Sequence, residues 1–325
     1  MGSDPIVIPT LEALVSEFSD RVRLEAIFTQ PDRRTGRGKA LKPNEIKTWA
    51  QEHGIPVYQP EKIGEEEIKL FRKNNWELVL VMAYGHILKK SLLELPRLGF
   101  YNLHASILPH LRGASPIETA IVTGETETGV TLIKIVPALD AGPIAGIERI
   151  AIPSDVRASE LRVQLAEACV PLLRNILPTI LAGNETLTEQ DSARATYCRL
   201  IDKLDGWLDF NLTAREIVNH IRGFYPWPGA VFDYEDTSIR VGEAEAVKRS
   251  ESLTGKTPGT IDCDRKQLVI ACGDDAVSLK SLQKPGGKMI DTASFLNGFR
   301  IENGAVVKFP ERVPLVADQY FRRTD

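Results

Sequence analysis

The run ELVLVMAYG, residues 77–85, shows almost no alternation between apolar and polar positions. A strand with one wet face alternates. A near-continuous apolar run of this length belongs to a strand covered on both faces, as inside a parallel sheet. Helices must then cover both faces, and the flanking sequence supplies them. LEAIFT (24–29), PVYQP (56–60), FYNLHAS (100–106), GVTLIKIV (129–136) and AGIERIAI (145–152) read as further strands. EIKTWAQEHG (45–54), EEEIKLFRKNN (65–75), SPIETAIVTG (115–124) and a stretch near 157–182 carry helical patterns, the first ending at Gly54. Strands alternating with helices predict an open, mostly parallel α/β sheet.

Residues 183–199 are polar and without periodicity, so they read as a linker. Beyond them one helix, TAREIVNHIRGF, precedes AVFDYED, SIRVGEAEAV, GTIDCDRKQLVIACGDDAVSLKSLQ and AVVKF. Short strands with Gly-rich turns predict a small β-barrel. The predicted organisation is a Rossmann-like domain over 1–182, a linker over 183–202 and an OB-like barrel over 203–325.

No apolar run approaches the roughly 20 residues that span a membrane, and no basic-then-apolar leader opens the chain. Cys169, Cys198, Cys263 and Cys272 form no CxxC pair, and no Cys/His group has metal-ligand spacing. Reduced thiols and no metal are expected. A net charge of −4 argues against binding nucleic acid through bulk electrostatics. The stretch 29–43 departs from that average: Arg33, Arg34, Arg37, Lys39 and Lys42 stand there against one acid, Asp32. It reads either as a solvated basic turn or as a loop that orders on a phosphate backbone.

Chemistry concentrates at NLHASILPHLRGASPI, residues 102–117. Side chains two apart on a strand share a face, so Asn102 and His104 project together and Leu103 points away. They stand at a strand's carboxyl end, where open α/β sheets bind ligands. The bland reading is a pair of polar residues capping a turn. Asp140, in VPALDAGPI, is the third member that favours chemistry. An Asp meeting His104 would hold its tautomer and raise its basicity. Asn102 would supply an amide donor to an oxygen gaining charge. The trio holds no nucleophile, so it suits direct acyl-type transfer to an amine. Ser106 stays open as a nucleophile, although SILP is no nucleophile elbow.

With LDAGPI following some thirty residues on, this stretch resembles the formyltetrahydrofolate-dependent transferase family. FTQPDRRTGRGKALKP, VMAYGHIL, ETGVTLIKI and GFYPWPGA extend the likeness through both domains, toward the branch that acts on methionyl initiator tRNA. The resemblance implies that Asn102, His104 and Asp140 are the catalytic trio. It implies that Ser106, Ile107, Leu108 and Pro109 line the folate site. Tyr84, Gly85, His86, Ile87 and Leu88, with Val136 and Leu139, would receive the pterin, though His86 is given no catalytic role. Gly113 would let the formyl donor approach. Arg33, Arg34, Arg37, Lys39 and Lys42 would grip the tRNA. The implied reaction passes formyl from 10-formyltetrahydrofolate to the methionyl α-amine through a tetrahedral intermediate, in a monomeric, cytoplasmic protein of translation initiation.

The near-neutral region after residue 203 shows no charge signature for RNA, so tRNA contact there rests on the resemblance. Pro226-Trp227-Pro228 reads as a rigid turn packing the domains rather than a stacking platform. Family members open with an apolar strand, whereas MGSDPIVIPT begins at the turn after it. The expectation is that the first strand is missing and that Met1 is an internal residue. Rival readings are transfer to an amino-sugar nucleotide or to glycinamide ribonucleotide, or a non-catalytic tRNA-binding protein.

Overall fold

The computed structural model describes residues 1–35 and 40–322. The chain forms two units whose division is not a single cut in sequence. The first holds Met1–Gly113, Glu127–Ala151 and Arg162–Thr196; the second holds Ala114–Thr126, Ile152–Leu161 and Tyr197–Asp325.

In the first unit, Ile27–Phe28 pairs in parallel with Val57–Tyr58. A second sheet runs in the order Leu78–Val81, Gly99–His104, Glu127–Lys134, Ile144–Ala151. Its first pair is parallel and the other two are antiparallel. The sheet is therefore mixed, where the sequence pattern predicts a mostly parallel one. Glu127–Lys134 and Ile144–Ala151 are both apolar runs, yet the connection between them is too short for a helical crossover, so they can only form a hairpin.

Helices cover the sheets as the periodicity predicts. Asn44 caps Glu45–Glu52 by accepting from the Lys47 N–H, and Ile46, Trp49 and Ala50 form its buried stripe. Glu65–Asn74 carries three acids in its first turn and Arg72 and Lys73 in its last, complementing the helix dipole. It buries Ile68 and Phe71, and Phe71 meets Phe28 and Phe100 at ring separations of 5.6 and 5.7 Å. The long helix Ala158–Ala182 is apolar enough by composition to cross a membrane. Its stripe Leu165, Cys169, Leu172, Leu173, Leu177 and Ile180 is instead buried. Gly146 allows its approach: a Cβ there would lie 2.8 Å from the Ile176 side chain.

Met1–Ser3 are extended rather than part of a turn. Gly2 bridges Met82 in parallel, and its N–H donates to the Phe28 carbonyl at 3.0 Å. The segment thus touches both strand sets. A cavity of about 350 Å³ adjoins it, lined by residues that include Met1, Ile27, Leu78, Leu80, Leu103 and Leu177. Leu103 lining this cavity fits the alternation that sends Asn102 and His104 to the other face.

The second unit is built on an antiparallel sheet in the order Ala230–Tyr234, Thr237–Val247, Ala276–Gln283, Leu268–Ala271, Ile261–Cys263, with Ile290–Asp291 added to Ala276–Gln283. A register shift between Val241 and Ala244 bends its longest strand. The result is a curled half-barrel, and among the described residues no pairing joins its two end strands. The expected strand AVVKF contributes one bridge, Val306 to Thr260. Trp227 of the Pro-Trp-Pro turn is 57 % exposed.

Helix Ala214–Gly223 packs on this sheet, capped by a reciprocal Thr213–Glu216 box. Its His220 is fully buried against Phe224, and burial with the nearby Arg312 charge pushes the imidazole pKa from 6.5 down to about 3. An unfolded chain therefore binds a proton below pH 6.5 that the folded chain refuses. Stability from this residue is present above pH 6.5 and is lost as pH falls toward 3. At pH 5 the loss amounts to about 2 kcal/mol. Denaturant titrations at pH 7.5 and 5 should show this slope, and His220→Leu should flatten it. An unchanged slope in the variant would contradict the assignment.

Candidate active site

Strand Gly99–His104 ends at the site. Its Asn102 pairs in register with Val81 on one side and Ile133 on the other. His104, 6 % exposed, lies opposite Thr131. Asp140 does not end a strand. It sits in the hairpin connection between Lys134 and Ile144, with φ +46°. That loop returns it to the trio: its Oδ1 accepts from the Asn102 amide at 3.4 Å and its Oδ2 from the Gly113 N–H at 2.9 Å.

The geometry revises how the His104 tautomer is held. Nε2 lies 2.8 Å from the Leu111 carbonyl, which can only accept, so Nε2 carries a proton. Nδ1 faces Asp140 Oδ2 at 3.6 Å, too far for a direct hydrogen bond. Leu111, not Asp140, sets the tautomer, and Nδ1 is the nitrogen directed at the carboxylate. Ser106 is 1 % exposed and its hydroxyl donates to the His110 carbonyl at 2.6 Å. It closes the loop 105–111 and is not placed as a nucleophile. Thr131 supports the same loop, donating to the Ser106 carbonyl and accepting from the Leu108 N–H.

Three of the five described non-glycine residues with positive φ flank this region: Ala83 (48°), Leu111 (55°) and Asp140 (46°). Each costs about 1 kcal/mol or more, and such strain gathers where surrounding structure enforces a functional geometry.

The remaining expected ligand residues stand on three segments beside the trio. Tyr84–Leu88 follows the strand that pairs with Asn102. Tyr84 is buried, and its carbonyl accepts from Gln30 at 3.0 Å. His86 packs edge-on against the Tyr84 ring, with its pKa lowered by burial and then by the Arg33 charge. Ile87 is 90 % exposed and Leu139 is 46 % exposed, so both present apolar surface to solvent. Val136, Ile107 and Pro109 are half-buried, and Leu108 is buried. No direct contact links Tyr84–Leu88, Val136 or Leu139 to the trio among the interactions of the described residues.

In the basic segment, read as a solvated turn or as a loop that orders on phosphate, the described residues form two short paired strands. Arg33–Thr35 pairs with Ala40–Lys42, with Arg33 directly opposite Lys42, and both side chains are exposed. Arg34 is placed by its backbone alone, opposite Leu41. Arg37 and Lys39 lie outside the described residues.

Sequence reasoning missed the Leu111 carbonyl, the use of the Gly113 N–H and Gln190. Backbone groups leave no mark in a residue pattern, and Gln190 stood in a polar stretch without periodicity.

Known proteins resemble this chain in sequence and in fold. Residues 7–176 match the formyl transferase family, and residues 200–300 match the formyl transferase C-terminal domain. The methionyl-tRNA formyltransferase of Methylococcus capsulatus is 37 % identical over 297 residues, covering 91 % of this chain and 94 % of that one. That of Sorangium cellulosum is 39 % identical over 308 residues, covering 94 % and 97 %. The N-formyltransferase of Helicobacter canadensis, solved with folinic acid and dTDP-3-aminofucose, superposes with a TM-score of 0.62 at 20 % identity, covering 87 % of this chain and 97 % of that one. That structural likeness speaks to the fold, whereas the identity over nearly the full length speaks to descent: this chain belongs to the methionyl-tRNA formyltransferase family.

Proposed function

We propose that this protein transfers a formyl group from 10-formyltetrahydrofolate to the α-amine of methionine on initiator tRNA, with Asn102, His104 and Asp140 as the reacting-centre residues. The observation that carries the reading is the convergence of two side chains and the Gly113 N–H around one carboxylate. The exposed Ile87 and Leu139 on flanking segments suit a flat heterocycle, and the backbone around Tyr84–Leu88 offers donors and acceptors for its edge.

The amine attacks the formyl carbon directly. The Asn102 amide stabilises the charge that develops on the formyl oxygen, while the His104 Nε2–H stays on the Leu111 carbonyl. Asp140 and the facing Nδ1 of His104 carry the proton from the amine to the leaving nitrogen. The trio needs no covalent acyl-enzyme, consistent with the Ser106 hydroxyl being held in its loop.

The Arg33/Lys42 hairpin is assigned to the tRNA phosphate backbone, together with Arg34, Arg37 and Lys39. Two cations directly opposed across a hairpin repel, and an anion between them relieves that cost. An OB-like role for the second unit in holding the tRNA belongs to the same reading.

The test is an acceptor comparison. Formyl transfer is measured with charged initiator tRNA, with an amino-sugar nucleotide and with glycinamide ribonucleotide. Consumption of the formyl donor only with charged tRNA supports the reading. Turnover on the sugar nucleotide alone would replace it.

A further inference from the structure

Asp140 holds a left-handed backbone, which Asp tolerates better than most residues but which leaves its peptide carbonyls in need of fixed partners. Gln190, far along the chain, supplies them. Its Nε2 donates to the Asp140 carbonyl at 2.9 Å and to the Gly142 carbonyl at 2.7 Å. Its Oε1 accepts from Arg112 Nε at 3.1 Å and from Arg112 Nη2 at 2.7 Å. Two guanidinium donors on one amide atom require that atom to be oxygen, so the amide has one orientation. Arg112 is 2 % exposed and cannot shed its charge, which locks the arrangement. The far side of the loop is equally confined: a Cβ on Gly142 would lie 1.7 Å from the Lys134 carbonyl. The segment carrying Gln190 is itself anchored, because Thr188 exchanges two backbone hydrogen bonds with Ile144 at 2.8 and 2.9 Å.

We infer that Gln190 is a positioning residue for formyl transfer: clamped by Arg112, it grips the Asp140 and Gly142 carbonyls and aims the Asp140 carboxylate at Asn102, His104 and Gly113. The inference rests on the function proposed above. Gln190 touches no reacting atom. It acts by setting the backbone from which the carboxylate projects, and small displacements of a reacting group are costly in rate.

Gln190→Glu separates this role from simple stability. A carboxylate still accepts from Arg112, so the buried cation keeps its partner, but it has no N–H to offer the two carbonyls. The expected result is a kcat lowered roughly 10- to 100-fold, with KM for both substrates within about twofold of wild type and a melting temperature that falls by a few degrees because two carbonyls lose their donor, the chain remaining folded at the assay temperature. Asp140→Asn is measured alone and in the Gln190→Glu background. If both residues act through one carboxylate, their losses fall short of multiplying. Wild-type kcat in Gln190→Glu, while Asp140→Asn is disabled, would overturn the positioning role and leave the trio standing. Losses that multiply in full would overturn it equally. Full turnover in Asp140→Asn would remove the trio reading, and this inference with it.

Discussion

His104→Ala is expected to fold and to lose at least about 10²- to 10³-fold in turnover, and Asn102→Ala the same. Asn102→Ala removes an amide donor for charge that exists only in the transition state, and His104→Ala removes the Nδ1 that shares the proton transfer with Asp140, so both losses should fall on kcat rather than on KM. The two are not equivalent in stability. Asn102 is half-buried and its amide makes one long contact, 3.4 Å to Asp140, so its removal should barely move the melting temperature. His104 is buried, and its loss strands the Leu111 carbonyl at a cost of about 1–3 kcal/mol. Single-turnover transfer to charged tRNA, with unfolding recorded on the same samples, checks both. Either variant turning over at the wild-type rate would remove that residue from the site.

The largest stability effect is expected at Arg199. Its guanidinium has no exposed surface, and the Asp205 carboxylate beside it is 3 % exposed. The pair is bidentate, at 2.7 and 2.5 Å, and Arg199 also donates to the carbonyls of Leu200, Val313 and Pro314. Asp205 in turn accepts from the Asp202 N–H. Arg199→Met leaves a carboxylate buried without its cation and three carbonyls short of a donor. The expected cost is about 3–5 kcal/mol. Arg199→Met with Asp205→Leu removes both charges and should recover much of that loss, because the penalty lies in the charge left alone. Denaturant unfolding of the second unit's tryptophans reads both. A cost below about 1 kcal/mol in the single variant would mean that the site relaxes and admits water.

The sequence read side-chain faces better than it read strand direction. Strand alternation is a local rule: it put Asn102 and His104 on one face and Leu103, which lines the cavity, on the other. The helices were legible for the same reason, through the Asn44 cap, the Glu65–Glu67 turn and their buried stripes. Strand direction was not. Apolar runs are alike in parallel and antiparallel pairs, so Glu127–Lys134 and Ile144–Ala151 were counted toward a mostly parallel sheet until the hairpin between them was seen.

What the sequence determined by itself was therefore local and chemical: which stretches are strands or helices, which residue types could stabilise an oxyanion or move a proton, and where basic residues gather. The tertiary structure alone decided which groups meet. It gave the His104 proton a backbone partner in Leu111, turned Asp140 back from a hairpin to face Gly113, and drew Gln190 out of an apparent linker onto the Asp140 backbone. Each of these contacts joins a side chain to a main-chain group. Every residue carries the same main-chain donor and acceptor, apart from proline's missing N–H, so no residue pattern announces which one will be used.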